Sequence, residues 1–121
     1  MKPFSLLLCL MSFLGCKAAD FHSVDADSFA QIIEDTTVVR LDVRTASEYS
    51  QGHIPGALLI DVTQADFMQK AEQLLPKDKT IALYCRSGRR SKTAAQLLAK
   101  QGYQVIELNT GFNSWKGEIE K

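Results

Sequence analysis

Short runs of apolar residues alternate along the chain with stretches of helical spacing. The apolar runs predict strands over residues 38–43, 57–62, 80–84 and 104–108. Their length and β-branched content are typical of buried parallel strands. Helical spacing predicts helices over residues 27–33, 66–75 and 91–100, the last with Ser91 as its N-cap candidate. We therefore expect an α/β fold with a parallel sheet of about five strands and helices on both faces.

The first nineteen residues have a different pattern. Lys2 precedes an apolar run over residues 4–14, which is too short for a spanning helix of about 20 residues. Small residues follow the run, so the pattern predicts a signal peptide over residues 1–19 and a periplasmic or otherwise exported protein. A buried N-terminal helix is the weaker alternative, because the run has no polar face at helical spacing.

The signal has two alternative ends. Signal peptidase can cut after Ala18 or Ala19, which we favour slightly over a lipobox that ends before Cys16. In the lipobox alternative Cys16 is lipidated and anchors the protein to the membrane. We expect membrane contact only in that case.

Residues 20–121 form one predicted domain, because nothing after Ala19 resembles a linker or a repeat. The whole chain of 121 residues has 14 basic and 14 acidic residues. Removal of the leader takes away Lys2 and Lys17 and no acid, which leaves 12 basic residues against 14 acidic ones and a formal charge of −2. This balance argues against a nucleic-acid partner, which needs an excess of Lys and Arg.

The cysteine count restricts the chemistry further. Of Cys9, Cys16 and Cys85, only Cys85 is certain to remain after processing, so no internal disulfide is expected. A single thiol in an exported domain suggests intermolecular pairing or a reactive group. With only His22 and His53 besides, we expect no metal site.

The residues after the strand at 80–84 are the strongest candidates for chemistry, because ligands bind at the carboxyl ends of parallel strands. They are Cys85, Arg86, Ser87, Gly88, Arg89 and Arg90. A loop that leads into a helix presents amides to an anion and stabilises a thiolate, so Cys85 is a candidate nucleophile. In the purely structural alternative, Cys85 ends the strand as a small apolar residue and the arginines belong to a solvated loop.

The sequence resembles the single-domain rhodaneses, a family of sulfurtransferases, over about residues 23–118. Residues 41–44 with Glu48, followed by residues 49–57, are similar to the first signature of the family. Residues 85–91 resemble its active-site loop, and residues 111–117 resemble its C-terminal signature. Thr110 stands where the family usually has a first glycine, which affects a turn and no catalytic role.

The resemblance implies that Cys85 takes a sulfane sulfur from a donor such as thiosulfate, holds it as a persulfide and passes it to cyanide or a thiol. It implies that residues 86–90 bind the small anionic donor, with no metal or organic cofactor. The charges of Arg86 and Arg89 favour thiosulfate over neutral sulfur donors. We expect a monomer.

Other residues of the signatures receive structural roles. We expect Asp42 and Arg44 to fix loops by ion pairing, His53 to hold its loop by hydrogen bonds, and Trp115 to pack in the core. Asp25 and Asp27, like Glu34 and Asp35, lie near predicted helix ends and suit caps or solvated charge.

Three other classes of function are less consistent with the loop. A phosphatase of the related cysteine-loop type needs Cys, five residues and then Arg, whereas Ser91 occupies that spacing here. A thiol-disulfide oxidoreductase usually has Cys-x-x-Cys, and Gly88 takes the second position. A non-enzymatic persulfide carrier or binding module of the rhodanese type is the alternative to the enzyme, although binding modules normally lack the cysteine.

Overall fold

The computed structural model describes residues 20–121 as a five-stranded parallel sheet flanked by helices. The strand order across the sheet is β1-β5-β4-β2-β3, which places β4 at the centre. The strands are β1 (His22–Val24), β2 (Val39–Asp42), β3 (Leu58–Leu59), β4 (Thr80–Tyr84) and β5 (Gln104–Leu108). All of the pairings between them are parallel, so their carboxyl ends meet at one edge.

Four helices cover the two faces of the sheet: α1 (Ala26–Ile32), α2 (Ala46–Gln51), α3 (Phe67–Leu74) and α4 (Arg89–Lys100). One face packs its buried apolar side chains against α3 and α4, through residues such as Phe67 and Leu98. The opposite face packs against α1 and α2, where Phe29 is buried and Tyr49 is half-buried. Because successive side chains of a strand point to opposite faces, the central strand contributes to both cores.

The predicted α/β fold class is confirmed, and β4 and β5 have the predicted bounds. The sequence also predicted β2, although the strand is shorter than the apolar run. Only Leu58–Leu59 pair within the run at 57–62, so β3 is a short edge strand. The edge strand β1 was not predicted, because three residues that are mostly exposed have no apolar alternation.

The signal peptide predicted over residues 1–19, with its alternative end before Cys16, lies outside the described residues. From residue 20 onward, no helix is long and apolar enough to cross a membrane.

Candidate active site

Cys85 lies directly after β4, where the chain leaves the centre of the sheet. Its side chain is fully buried, on the face covered by α3 and α4. The loop over residues 85–91 curls around the sulfur, and the Gly88 amide donates to Sγ at 3.1 Å. Because α4 begins at Arg89, the same loop presents the amino end of a helix to the thiol.

The surroundings of Cys85 favour its thiolate. Burial raises the pKa of the thiol, but hydrogen bonds that the thiolate can accept from the Ser91 hydroxyl and from the amides of Ser91, Gly88 and Ser87 outweigh it. The pKa of Cys85 therefore lies below its usual value. A thiol of this kind is more ionised at neutral pH than an ordinary cysteine and can act as a nucleophile.

Two glycines allow the close packing behind the loop. Gly88 has φ +102°, and a Cβ built there would lie 1.9 Å from the carbonyl oxygen of Asn109. Gly111 has φ +69°, and its Cβ would lie 2.4 Å from the carbonyl oxygen of Arg86. The segment after Gly111 also holds the loop, since the Phe112 amide donates to the Cys85 carbonyl at 2.8 Å.

Glu48 on α2 binds two of the three loop arginines. The Arg90 guanidinium donates to both Glu48 oxygens, at 2.8 and 3.0 Å, and Arg86 Nε donates to Oε2 at 3.0 Å. The Arg90 hydrogen bonds, reinforced by Thr45 and Arg86, hold the pKa of Glu48 well below its usual range despite partial burial. Within the described part of the chain, Arg89 is exposed and makes no ion pair. Arg89 is therefore the loop arginine without a carboxylate partner among the described residues, while Arg86 and Arg90 share the single negative charge of Glu48.

The sequence predicted Ser91 as the N-cap of this helix, and that prediction was wrong. The helix begins two residues earlier, because the left-handed conformation of Gly88 turns the chain into α4 at Arg89. Ser91 is instead fully buried, with Oγ 3.5 Å from Cys85 Sγ. The same hydroxyl donates to Glu107 Oε2, so Ser91 links the thiol to a buried carboxylate on β5.

Asp42 and Arg44 form the predicted ion pair, and it is buried. Arg44 Nη2 lies 2.7 Å from Asp42 Oδ2 and also donates to the Gly52 carbonyl at 2.8 Å. Burial lowers the pKa of Arg44, but the hydrogen bond and charge of Asp42 outweigh it and raise the pKa above its usual value. Tyr84 joins the pair by donating to Asp42 Oδ2 at 2.7 Å, which fixes β2 to the strand that precedes Cys85.

His53 and Trp115 also have the structural roles predicted for them. His53 Nδ1 lies 2.8 Å from the Tyr49 carbonyl oxygen, and its ring stacks on the Tyr49 ring. Its other ring nitrogen lies 3.4 Å from Glu120 Oε1, so both nitrogens have partners. Trp115 packs edge to face against Phe29, although it is only half-buried.

Sequence reasoning missed the roles of Glu48 and Glu107. Glu48 lies within the first signature, whose pattern does not show that it binds the loop arginines. Thr45 and Glu48 form a capping box at the start of α2, and the spacing Thr-x-x-Glu was a readable signal for that helix. Glu107 had no comparable signal, because a single acidic residue in an apolar strand does not reveal its neighbours.

The site therefore defines a class of protein: an α/β domain in which a buried thiol sits in an amide-lined loop at the carboxyl end of the central strand. Over residues 20–121 no group of His, Cys, Asp and Glu could hold a metal ion. Thr110, the departure from the signature, has its hydroxyl 2.7 Å from that of Ser114 and does not need a left-handed backbone.

Comparison with known proteins assigns the family. The sequence model of the family described as the rhodanese-like domain matches residues 25–118 of this chain. The chain belongs to the rhodanese-like domain family.

Several curated relatives have names that refer to sulfur chemistry. A sulfurtransferase of Allochromatium vinosum is 36% identical over 96 residues, which cover 78% of this chain and 87% of the relative. A thiosulfate sulfurtransferase GlpE of Shewanella oneidensis is 30% identical, with 80% of this chain and 94% of the relative covered. The putative sulfur carrier protein YrkF of Bacillus subtilis is 34% identical, and the match covers 85% of this chain but 55% of that protein.

The fold agrees with solved members of the family. The crystal structure of a rhodanese-like domain protein from Staphylococcus aureus has a TM-score of 0.72 and 26% identity. The match covers 83% of this chain and 97% of that one.

Proposed function

We propose that the protein is a sulfurtransferase that moves a sulfane sulfur from thiosulfate, or a similar anionic donor, through a Cys85 persulfide to cyanide or a thiol. The observation that supports it most directly is the set of backbone amides around Cys85 Sγ, headed by that of Gly88 at 3.1 Å. These N–H groups favour a negative sulfur before and after transfer.

In the first step the Cys85 thiolate attacks the outer sulfur of thiosulfate. A bond forms between Sγ and that sulfur, while the bond from that sulfur to the SO₃ group breaks and its electron pair leaves with sulfite. The charge of the thiolate now resides on the outer sulfur of the persulfide. The loop amides that favour the thiolate lie next to this new anion, so the same groups serve both states.

In the second step cyanide attacks the outer sulfur of the persulfide. The new bond joins carbon to sulfur, the S–S bond of the persulfide breaks, and its electron pair returns to Sγ as thiocyanate leaves. A thiol acceptor reacts in the same way through its thiolate. Because Cys85 is first the nucleophile and then the leaving group, a pKa below the usual value favours the second step.

The test of this proposal separates an enzyme from a carrier. After exposure to thiosulfate, the protein is expected to gain the mass of one sulfur atom on Cys85. With thiosulfate and cyanide together it should form many thiocyanate molecules per protein. A mass gain followed by a single equivalent of thiocyanate would instead identify the persulfide carrier, and no mass gain would refute both.

The loop arginines are expected to differ in their effect on the binding of the sulfur donor. Arg89 is exposed and has no ion pair among residues 20–121, whereas the charge of Arg86 is partly offset by Glu48, which also binds Arg90. Arg89→Ala should lower kcat/KM for thiosulfate about threefold, and Arg86→Ala should lower it less. Salt screens exposed charges over about 8 Å at physiological ionic strength, so the wild type should lose kcat/KM with added salt more steeply than Arg89→Ala.

A salt series with thiosulfate and a salt that does not bind the loop measures these effects on the three proteins. The double variant Arg86→Ala/Arg89→Ala extends the comparison and should show the weakest salt dependence. Equal slopes in all of the proteins would refute the steering role and leave the loop amides as the anion site.

We also propose that the protein is exported, on the basis of the charged start and the apolar run before residue 20. Sequencing the amino terminus of the native protein should find a start between Cys16 and Asp20. A lipid mass on Cys16 would select the membrane-anchored alternative, and an intact Met1 or Lys2 would refute export.

A further inference from the structure

Glu107 is a fully buried carboxylate on β5 that the proposed reaction does not use. Its Oε1 accepts a hydrogen bond from the Ser23 hydroxyl at 2.5 Å. Its Oε2 accepts from the Ser91 hydroxyl at 2.5 Å and from Lys92 Nζ at 3.1 Å. Three donors satisfy the carboxylate, and one of them is the hydroxyl that touches Cys85.

Ser91 has a single hydrogen to share between two neighbours. A serine hydroxyl donates once and accepts through its lone pairs. While Ser91 donates to Glu107, it can only accept from Cys85, and the 3.5 Å contact between Sγ and Oγ then suits the neutral thiol as donor. For Ser91 to donate to a Cys85 thiolate, its hydrogen must leave Glu107.

The negative charge of Glu107 also favours the neutral thiol of Cys85 over its thiolate. The two contacts of Ser91 place Cys85 Sγ and Glu107 Oε2 within about 6 Å of each other, with no bulk water between them. At this separation in a buried site, a negative carboxylate disfavours ionisation of the thiol. Lys92 offsets part of the carboxylate charge and also donates to the Gly88 and Asn109 carbonyls, both at 3.1 Å.

We infer that Glu107 is a positioning residue that restrains the ionisation of Cys85, through the Ser91 hydroxyl that it holds and through its own charge, and that Lys92 limits this restraint. The inference rests on the proposed role of Cys85 as the nucleophile. The restraint balances the two steps, because a thiolate of higher pKa is the better nucleophile and one of lower pKa the better leaving group. The amides promote ionisation, and Glu107 opposes it.

The neighbouring groups on α4, β1 and β4 are paired, uncharged or turned away from Cys85 and Glu107. From α4, Arg90 faces Cys85 and favours its thiolate, but Glu48 on α2 binds its guanidinium. On β1, uncharged Ser23 shares a face with Glu107, while His22 points to the opposite face. On β4 the residue paired with Glu107 is apolar. Glu107 and Lys92 are therefore the charges that their contacts place directly behind Ser91.

The experiment measures the rate at which iodoacetamide alkylates Cys85 between about pH 5 and 10, with the modified peptide identified by mass spectrometry. In Glu107→Gln the midpoint of the pH profile should fall by about one unit, a tenfold change in the ionisation equilibrium. In Lys92→Met the midpoint should rise. The double variant should lie below Lys92→Met, because Glu107 is the source of the restraint.

Glu72→Gln is the matched control. It makes the same change of net charge at a half-exposed carboxylate that pairs with Lys77 on the surface, and its midpoint should equal that of the wild type. If Glu107 only stabilised the fold, the Glu107→Gln variant would have a lower unfolding temperature and an unchanged midpoint. An unchanged or raised midpoint in that variant would overturn the inference.

A second variant covers the case in which Glu107→Gln does not fold. Glu107→Asp keeps the charge but withdraws it from Ser91 by one methylene, so the midpoint should fall by a smaller amount. No fall in that variant would also overturn the inference. Alkylation needs no sulfur donor, so this outcome is independent of whether the protein transfers sulfur from thiosulfate.

Discussion

Replacement of Cys85 by Ser is expected to abolish sulfur transfer and leave the fold in place. A serine hydroxyl is not ionised near neutral pH and cannot form a persulfide, so the rate of thiocyanate formation should fall by at least about 10³-fold. The new hydroxyl has the Gly88 amide and the Ser91 hydroxyl as partners in the same place. Its burial should therefore cost no more than about 1 kcal/mol of unfolding free energy.

The measurement combines thiocyanate formation, intact mass after thiosulfate exposure and urea unfolding. In the unprocessed chain, Cys16→Ser is the control, because it removes a thiol outside the loop and should keep both the sulfur adduct and the turnover. Thiocyanate formation above background by Cys85→Ser would show that another group accepts the sulfur. A loss of folding in that variant would mean that the thiol is needed for packing rather than for chemistry alone.

The central part of the fold was predictable because its strands are buried on both faces. The apolar runs at 80–84 and 104–108 have the same bounds as β4 and β5, two of the three strands that have a neighbour on each side. Edge strands have fewer burial constraints, so β1 lacked a pattern, and the run at 57–62 overstated β3. The six-residue helix α2 was missed because it has too few turns for apolar spacing to show.

The candidate site was predictable in its chain-local part and not in its long-range contacts. Cys85 and the loop after it are adjacent in sequence, and the loop chemistry follows from a strand that ends before a helix. Glu48 and Glu107 reach the loop from α2 and β5, and no local pattern specifies those contacts. The predicted N-cap at Ser91 was wrong for a related reason, since a close contact with Asn109 fixes Gly88 in a left-handed turn.

These long-range contacts change the electrostatic interpretation of the loop. Three arginines in six residues suggested a strongly positive site, but two of them share the single negative charge of Glu48, and Lys92 is paired with Glu107. The groups in direct contact with the sulfur include several neutral backbone N–H groups, which keep their orientation and are little affected by salt. We therefore expect backbone geometry to matter more for activity than any one arginine.

Gly88→Ala is expected to be the most damaging change that leaves every side chain of the loop in place. The left-handed backbone at φ +102° costs an alanine roughly 1–2 kcal/mol. The new Cβ would also lie 1.9 Å from the Asn109 carbonyl oxygen, so the loop must move away from β5, at a further cost of about 1–3 kcal/mol. Since the Gly88 amide binds Sγ, that movement should lower kcat/KM for thiosulfate by about 10²-fold.

Gly102→Ala is the matched control for backbone strain. Gly102 has φ +95°, but no atom lies within 4 Å of the position that a Cβ would take. This variant should lose the same roughly 1–2 kcal/mol of unfolding free energy from the left-handed backbone and keep wild-type kcat/KM, since Gly102 lies beyond the far end of α4 from Cys85. Urea unfolding and thiosulfate kinetics on the two variants separate strain from displacement of the loop. If Gly88→Ala retained activity within about twofold of Gly102→Ala, the position of the Gly88 amide would not control sulfur transfer, and the Ser87 and Ser91 amides would be sufficient.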